Sequence, residues 1–278
     1  MNNSHQITPS IYHRIALGSA YGVTDVGQVR RANEDNFLID APTGLVAVAD
    51  GMGGHDGGEI ASRTVLEALR ASLAASLRDG LHHRVAETNG PDPDATSRDQ
   101  HVAAVLMVHA AVDYANSQVY QANVRNENID GGGMGTTLTG FWHDTQGTPL
   151  IVFHVGDTRL YRMRNGELTV LTRDQTLYQQ ALEEGMSDNL PARNLLLQAI
   201  GPTQNVVADV RLCVPEDGDL FLLCSDGLYG NTPHAALAAA LAGADALSLD
   251  LCCARLVALA MAHGSRDNIT ALLALCQR

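Results

Sequence analysis

Four times in this chain an aspartate stands beside a small or polar residue at the mouth of an apolar run. LVAVADG ends at Asp50-Gly51, IVFHVGD at Gly156-Asp157 and LFLLCSDG at Ser225-Asp226-Gly227, while Asp267-Asn268 precedes ITALLAL. A fifth acidic cluster, Asn33-Glu34-Asp35-Asn36, leads into the short apolar stretch 37–39. Each of these alone reads equally well as turn chemistry, for which Asp and Gly are suited. As a set they imply more. If the fold brings these ends together, several carboxylates share one cleft, where they repel and raise one another's pKa. A divalent cation relieves that conflict, and oxygen donors without His or Cys select hard ions, Mg²⁺ or Mn²⁺.

The stretch VADGMGGHDGGE, residues 48–59, tests that idea against a direct phosphate cradle. A phosphate-binding P-loop needs G-x-x-x-x-G-K-[ST]. Here no Lys follows the glycines, and His55, Asp56 and Glu59 stand in its place. Negative charge beside a bare phosphate repels it, so the stretch favours a metal, with Asp50 as a ligand. GMGTTLTG at 133–140 leads into a strand rather than a helix. It reads as close packing near the site, not a dinucleotide fingerprint.

The elements that must position these groups follow from periodicity. Helical patterns cover about 59–77 and 101–124, separated by the Pro-, Asp- and Asn-rich segment 87–100. Strand patterns cover 36–40, 45–49, 136–142, 150–155, 159–164, 167–171, 210–214, 219–224 and 269–276. Asn165-Gly166 between two of them signals a two-residue hairpin. Thr232-Pro233 starts a late helix, and another spans roughly 248–263. Strands and helices come in runs rather than alternating, which argues for an α+β fold with largely antiparallel sheets. Residues 1–14 read as a loose N-terminal segment and 15–278 as a single domain.

Composition narrows the function. Acidic residues outnumber basic ones 31 to 18, a net charge of −13. That argues against a nucleic-acid surface, which demands clustered Lys and Arg, and against an anionic membrane. The Ala-rich stretch 235–262 is broken by Gly243, Asp245, Asp250 and Arg255, so it reads as two soluble helices, not a membrane span. Five cysteines without a C-x-x-C pair, and no signal pattern at the N-terminus, point to a reducing, cytoplasmic setting. Core packing is the reading for the vicinal pair Cys252-Cys253.

In order along the chain stand TDVGQVRRANEDNF, VADGMGGHDGGEIAS, GMGTTLTG, VGDTRLYR, SDGLYG and RDNIT. This series resembles the metal-dependent Ser/Thr protein phosphatases of type 2C in their bacterial form, from about residue 22 to the C-terminus. The resemblance implies a central antiparallel β-sandwich flanked by α-helices on both faces, a four-layer α-β-β-α arrangement. It implies two or three Mn²⁺ or Mg²⁺ ions. Asp50 would bridge two of them, the Gly51 carbonyl would bind the second, and Asp226 and Asp267 the first. Glu34 and Asp35 would hold metal-bound waters, and Asp157 with Asp226 a third ion. Arg30 would grip the phosphoryl group, with its neighbour Arg31 reading as a surface charge. Two metals about 3.5–4 Å apart lower the pKa of a shared water. The expected chemistry is therefore in-line attack of a metal-bridging hydroxide on phosphoserine or phosphothreonine in proteins. The expected partners are a Ser/Thr protein kinase and its substrates, and the expected state is a monomer.

Rival phosphatase designs lack their residues. No Cys is followed six positions later by Arg, and the metallophosphatase patterns G-D-x-H-G and G-N-H-D are absent. Two positions depart from the resemblance. Met52 stands in the region where animal members carry a His thought to protonate the leaving group; His55 is a nearby candidate, with loop packing its plainer role. Asp174-Gln175-Thr176 stands where bacterial relatives show Asp-His-Ser, at the entrance to a flap expected over 177–199. Arg193 in that flap reads either as a substrate contact or as part of a salt bridge within the flap. A phosphoprotein-binding module without turnover is the alternative from another class, and its signature, lost metal carboxylates, is missing.

Overall fold

The computed structural model describes residues 7–53, 57–79, 95–126, 133–144 and 149–277. One antiparallel sheet contains β1 (Ile7–Pro9), β2 (His13–Ile15), β3 (Gly18–Asp25), β9 (Arg159–Arg164), β10 (Glu167–Val170), β12 (Leu220–Cys224) and β13 (Ile269–Cys276). Its order is β1-β3-β13-β12-β9-β10, with β2 beside β1 on the same edge of β3. The second contains β4 (Asp35–Asp40), β5 (Leu45–Met52), β6 (Gly135–Thr136), β7 (Leu138–Trp142), β8 (Leu150–Val155) and β11 (Asp209–Cys213), ordered β11-β8-β7-β5-β4 with β6 on the end of β5.

Alternation along each strand decides what packs where. Leu45, Ala47 and Ala49 of β5 meet Val65, Leu69 and Leu73 of α1 (Gly57–Arg78) and Val108, Val112 and Val119 of α2 (Ala95–Arg125). The intervening Val46 and Val48 face the other sheet, joining Phe221, Leu223, Leu272 and Ala274. In β13 the odd positions Ile269, Ala271 and Leu273 pack on Leu256, Val257 and Ala260 of α6 (Leu249–Ala262), beside α5 (His234–Leu241). Both faces of the central strands are therefore covered, which is why they read as unbroken apolar runs. The expected four-layer α-β-β-α architecture is the one observed. Cys252 and Cys253 are both buried in the helix-side core.

Asn165 and Gly166 both adopt positive φ (52° and 83°) in the β9–β10 hairpin. Several expectations need correction. The segment expected to be loose holds β1 and β2, whose backbones pair with β3; residues 1–6 lie outside the described residues. The strand expected at 136–142 is two strands, interrupted at Thr137. The second helix begins at Ala95, inside the segment read as a loop. The segment expected as a flap opens with a short helix, α3 (Leu177–Glu183), and Asp226 starts a one-turn helix, α4 (Asp226–Tyr229), rather than a plain turn. Pro233 caps α5 instead of opening it.

The register Thr139↔His154 places a buried imidazole in the second sheet. His154 Nε2 lies 3.0 Å from the Arg173 carbonyl and so donates to it; Nδ1 accepts from the Thr139 hydroxyl at 2.8 Å. Burial pushes its pKa down to about 4. The unfolded chain takes up this proton below about 6.5, while the folded ring stays neutral until about 4. The associated stability is thus complete above 6.5 and is lost as pH falls toward 4. In His154→Gln, which keeps one donor and one acceptor, the stability lost over that range should shrink by up to about 3 kcal/mol. Urea denaturation at pH 7 and pH 4.5 reads the difference; equal losses in both proteins would show that the ring titrates normally in the fold.

Candidate metal centre

The strand ends identified in the sequence do converge. Register Asp35↔Asp50 sets two carboxylates side by side where β4 and β5 meet. A cleft of about 330 Å³ opens there, lined by Arg30, Glu34, Asp50, Gly51, Asp157, Asp226 and Asp267, with Met52, Gly53, Thr137, Asn194 and Leu196 completing the wall. Every acidic group expected at the site, apart from Asp35, lines this cleft.

Asp35 lies beneath the cleft. Its Oδ2 accepts from Ser225 Oγ at 2.6 Å and Thr270 Oγ1 at 2.7 Å, tying β4 to the ends of β12 and β13. Burial lifts its pKa to about 7. Asp50 is crowded by protein on every side yet shows part of its surface to the cleft. Burial first, and then Asp35, Asp226, Asp157 and Asp267, hold its pKa well above the carboxylate range. Asp157 rises to about 7 and Asp226 to about 6, again through burial and then like charge. Glu34 shifts upward by desolvation, moderated by Arg30 and by the Gly58 N–H at the start of α1.

The glycines of 48–59 allow this assembly. A Cβ on Gly51 would lie 2.1 Å from the Gly58 carbonyl oxygen, and one on Gly58 would lie 2.4 Å from Glu34 Oε1. The end of β5 and the start of α1 therefore touch backbone to backbone, which only glycine permits. His55 lies outside the described residues.

Residues that the sequence left unassigned hold the carboxylates in place. Thr137 Oγ1 accepts from the Asp50 N–H at 2.9 Å, and the Asp50 carbonyl accepts from both Thr137 N–H and Thr136 Oγ1. Asn268 accepts from Glu34 N–H at 2.9 Å and donates to the Val26 and Ala32 carbonyls. It thereby pins the loop carrying Arg30 to the segment that leads from Asp267 into β13. Adjacent Thr pairs and Asp-Asn dipeptides are too common for sequence alone to single these out. Arg193 does not line the cleft. It borders an adjoining pocket, where its guanidinium stacks on Tyr178 at 4.5 Å and donates to the Tyr178 hydroxyl at 3.1 Å. Arg30 does line the cleft, and its NH2 donates to Asp267 Oδ2 at 2.6 Å.

The donor set fits a hard divalent cation. All the cleft donors are oxygens, and Asp226 Oδ1 is buried without a hydrogen-bond partner. Such an atom is costly unless something positive meets it. Among the described residues no three acidic or imidazole side chains close into a finished cage.

The Protein phosphatase 2C family profile matches residues 28–255. The chain is 34% identical over 267 residues to the serine/threonine protein phosphatase PstP of Mycobacterium tuberculosis, covering 94% of this chain but 46% of that protein, so it spans less than half of that relative's length. It is 31% identical to the serine/threonine phosphatase stp of Listeria innocua, covering 90% of this chain and 92% of that one. The solved catalytic domain of a PstP in complex with two manganese ions superposes with a TM-score of 0.71 at 29% identity, covering 98% of this chain and all of that one. With the family profile spanning most of the chain, this protein belongs to the protein phosphatase 2C family.

Proposed function

We propose that the chain hydrolyses phosphoserine and phosphothreonine in proteins in a metal-dependent reaction. The observation that carries this reading is the cleft that Asp50, Asp157, Asp226 and Asp267 line together with Arg30, with Asp226 Oδ1 buried and without a hydrogen-bond partner. Asp50, Asp226, Asp267 and the Gly51 backbone would hold two divalent ions, with Asp157 serving a third and Glu34 and Asp35 contributing through water. Bound ions would supply an acidified water and positive charge for the phosphoryl oxygens.

The chain's own residues do the rest. Arg30 supplies a planar fork whose donors match two phosphoryl oxygens, geometry a Lys cannot reproduce. Moving from Asp267 to a phosphoryl group exchanges one anion for another, so the guanidinium stays paired. Thr137 and Asn268 keep Asp50 and Glu34 at fixed positions through main-chain contacts. No Cys or His stands on the described cleft wall, which argues against a phosphocysteine or phosphohistidine intermediate. An apolar groove of about 710 Å³, with Leu195 and Leu197 exposed along it, runs on from Met52, Asn194 and Leu196 at the cleft. That continuity favours a polypeptide substrate over a small phosphate ester. The absence of a disulfide among the five cysteines supports a reducing cytoplasm, where a Ser/Thr kinase would supply the substrate.

The test is hydrolysis of a phosphothreonine peptide with Mn²⁺, with EDTA, and by Asp50→Asn in Mn²⁺. Turnover should require Mn²⁺ and disappear in the variant. Absence of turnover while calorimetry shows Mn²⁺ bound would replace this reading with phosphoprotein binding.

A further inference from the structure

The segment Asp174-Gln175-Thr176 joins the cleft to the flap, and its contacts are unusually concentrated. Gln175 is 9% exposed. Its side-chain carbonyl accepts from Gly156 N–H at 3.0 Å, and its own N–H donates to the Gly156 carbonyl at 2.7 Å. Both polar groups of the residue preceding Asp157 are therefore satisfied by one side chain and its backbone. On the other side, the Gln175 carbonyl accepts from Leu197 N–H at 2.8 Å, and Thr176 bridges to Leu196, which lines the cleft.

Neighbouring contacts grip the same turn from a second direction. Arg159 makes a bidentate pair with Asp174, at 2.8 and 2.7 Å, and stacks on Tyr229 at 3.7 Å. The Tyr229 hydroxyl donates to the Asp157 carbonyl at 2.8 Å. Gly156 holds φ 102°, and a Cβ there would meet the Thr137 side chain at 2.7 Å. The turn consequently leans on the residue that receives the Asp50 N–H. Chain connectivity alone would leave a glycine at positive φ free to move.

We propose that Gln175 is a positioning residue that locks the Gly156-Asp157 turn to the flap's return segment, so that cation affinity at Asp157 and the placement of Leu196 over the cleft are set together. This rests on the reading that Asp157 helps hold a cation. The requirement is for an acceptor at the right reach, not for an amide as such. A neutral imidazole nitrogen meets it; a thioether does not.

Gln175→Met, Gln175→His and the unaltered protein are compared by amide hydrogen exchange, by calorimetric titration with Mn²⁺ alone, and by turnover of p-nitrophenyl phosphate against Mn²⁺ concentration. In Gln175→Met, exchange should quicken at both Gly156 and Leu197. The half-saturating Mn²⁺ should rise about tenfold, the size set by one neutral hydrogen bond, with kcat at saturating Mn²⁺ within about threefold. Gln175→His should restore all three readouts. Should the Met variant fail to fold, Gln175→Asn, whose amide falls one methylene short, takes its place. Faster exchange with an unchanged Mn²⁺ titration would reduce Gln175 to a local structural role and overturn the proposal, as would unchanged exchange or a His variant that restores nothing. Asp157→Asn, titrated alongside, separates the two ideas: Mn²⁺ stoichiometry and affinity unchanged in that variant would remove Asp157 from the cation site, whatever Gln175 does.

Discussion

Asp226→Asn should melt at a higher temperature than the unaltered protein in EDTA, by about 3–6 °C, while losing phosphopeptide turnover in Mn²⁺ by at least about 10²–10³-fold. The two effects share one cause. Burial and then Asp267 lift the Asp226 pKa from 3.8 to about 6. Keeping that carboxylate charged at neutral pH destabilises the metal-free fold by roughly 2–3 kcal/mol. Asparagine keeps the shape and can still accept the Gly227 N–H that contacts Asp226. It removes the charge, and so removes both the strain and the cation's partner. The sign of the pH dependence follows. The folded carboxyl takes up its proton at a higher pH than the unfolded one. Stability of the metal-free protein therefore gains from this group as pH falls through about 6 toward 4, and the variant lacks that gain. Thermal denaturation with EDTA and with Mn²⁺ reads both ends: Mn²⁺ should stabilise the unaltered protein by mass action and the variant far less. A variant that melts lower in EDTA, or gains as much from Mn²⁺, would take Asp226 out of the cation site.

The same side chain shows what a sequence can and cannot reveal. Asp226 was legible because β12 is an apolar run with both faces covered, and the run stops at Ser225. Strand ends in a sandwich lie on common edges, so acidic strand ends point to a shared cleft. Asp50, Asp157 and Asp267 were legible for the same reason, and Asn165-Gly166 because a tight hairpin demands positive φ from local sequence alone. Strand β3 was harder to see. GSAYGVTD is small and polar, and it becomes a strand through pairing with β13 along its full length, a contact more than 240 residues away in sequence. β1 and β2 are three residues each and exist only against β3. Asp35 looked equivalent to Glu34, yet Glu34 stands just before β4 while Asp35 is the first residue of that strand, paired with Asp50. One reaches the cleft, and the other is clasped by Ser225 and Thr270. Gln175 was visible only as a departure from Asp-His-Ser. Its contacts reach 19 residues back to Gly156 and 22 forward to Leu197, and no local pattern encodes them.

Arg30→Ala should lower kcat/KM for a phosphothreonine peptide by about 10²-fold, and Arg30→Lys should recover no more than about a tenth of the loss. Exposure limits what Arg30 contributes to the fold. Arg30 and Asp267 form a pair at 2.6 Å with half of the Arg30 side chain open to solvent. Exposed pairs contribute little to folding, so the melting temperature should scarcely move. Geometry sets what Arg30 contributes to the reaction. An anion at the cleft mouth can draw two parallel donors from a guanidinium, whereas an ammonium offers a point charge. Because the contact strengthens as charge gathers on the phosphoryl oxygens, kcat should fall along with kcat/KM rather than KM alone rising. Arg31 is the internal control. It is exposed, stands one position along and does not line the cleft. Arg31→Ala should stay within about twofold of the unaltered protein, the range expected of a surface charge away from the site. A larger loss at Arg31 than at Arg30 would move the phosphate contact to the neighbour. A loss at Arg30 that tracked a falling melting temperature would make the ion pair with Asp267 its role.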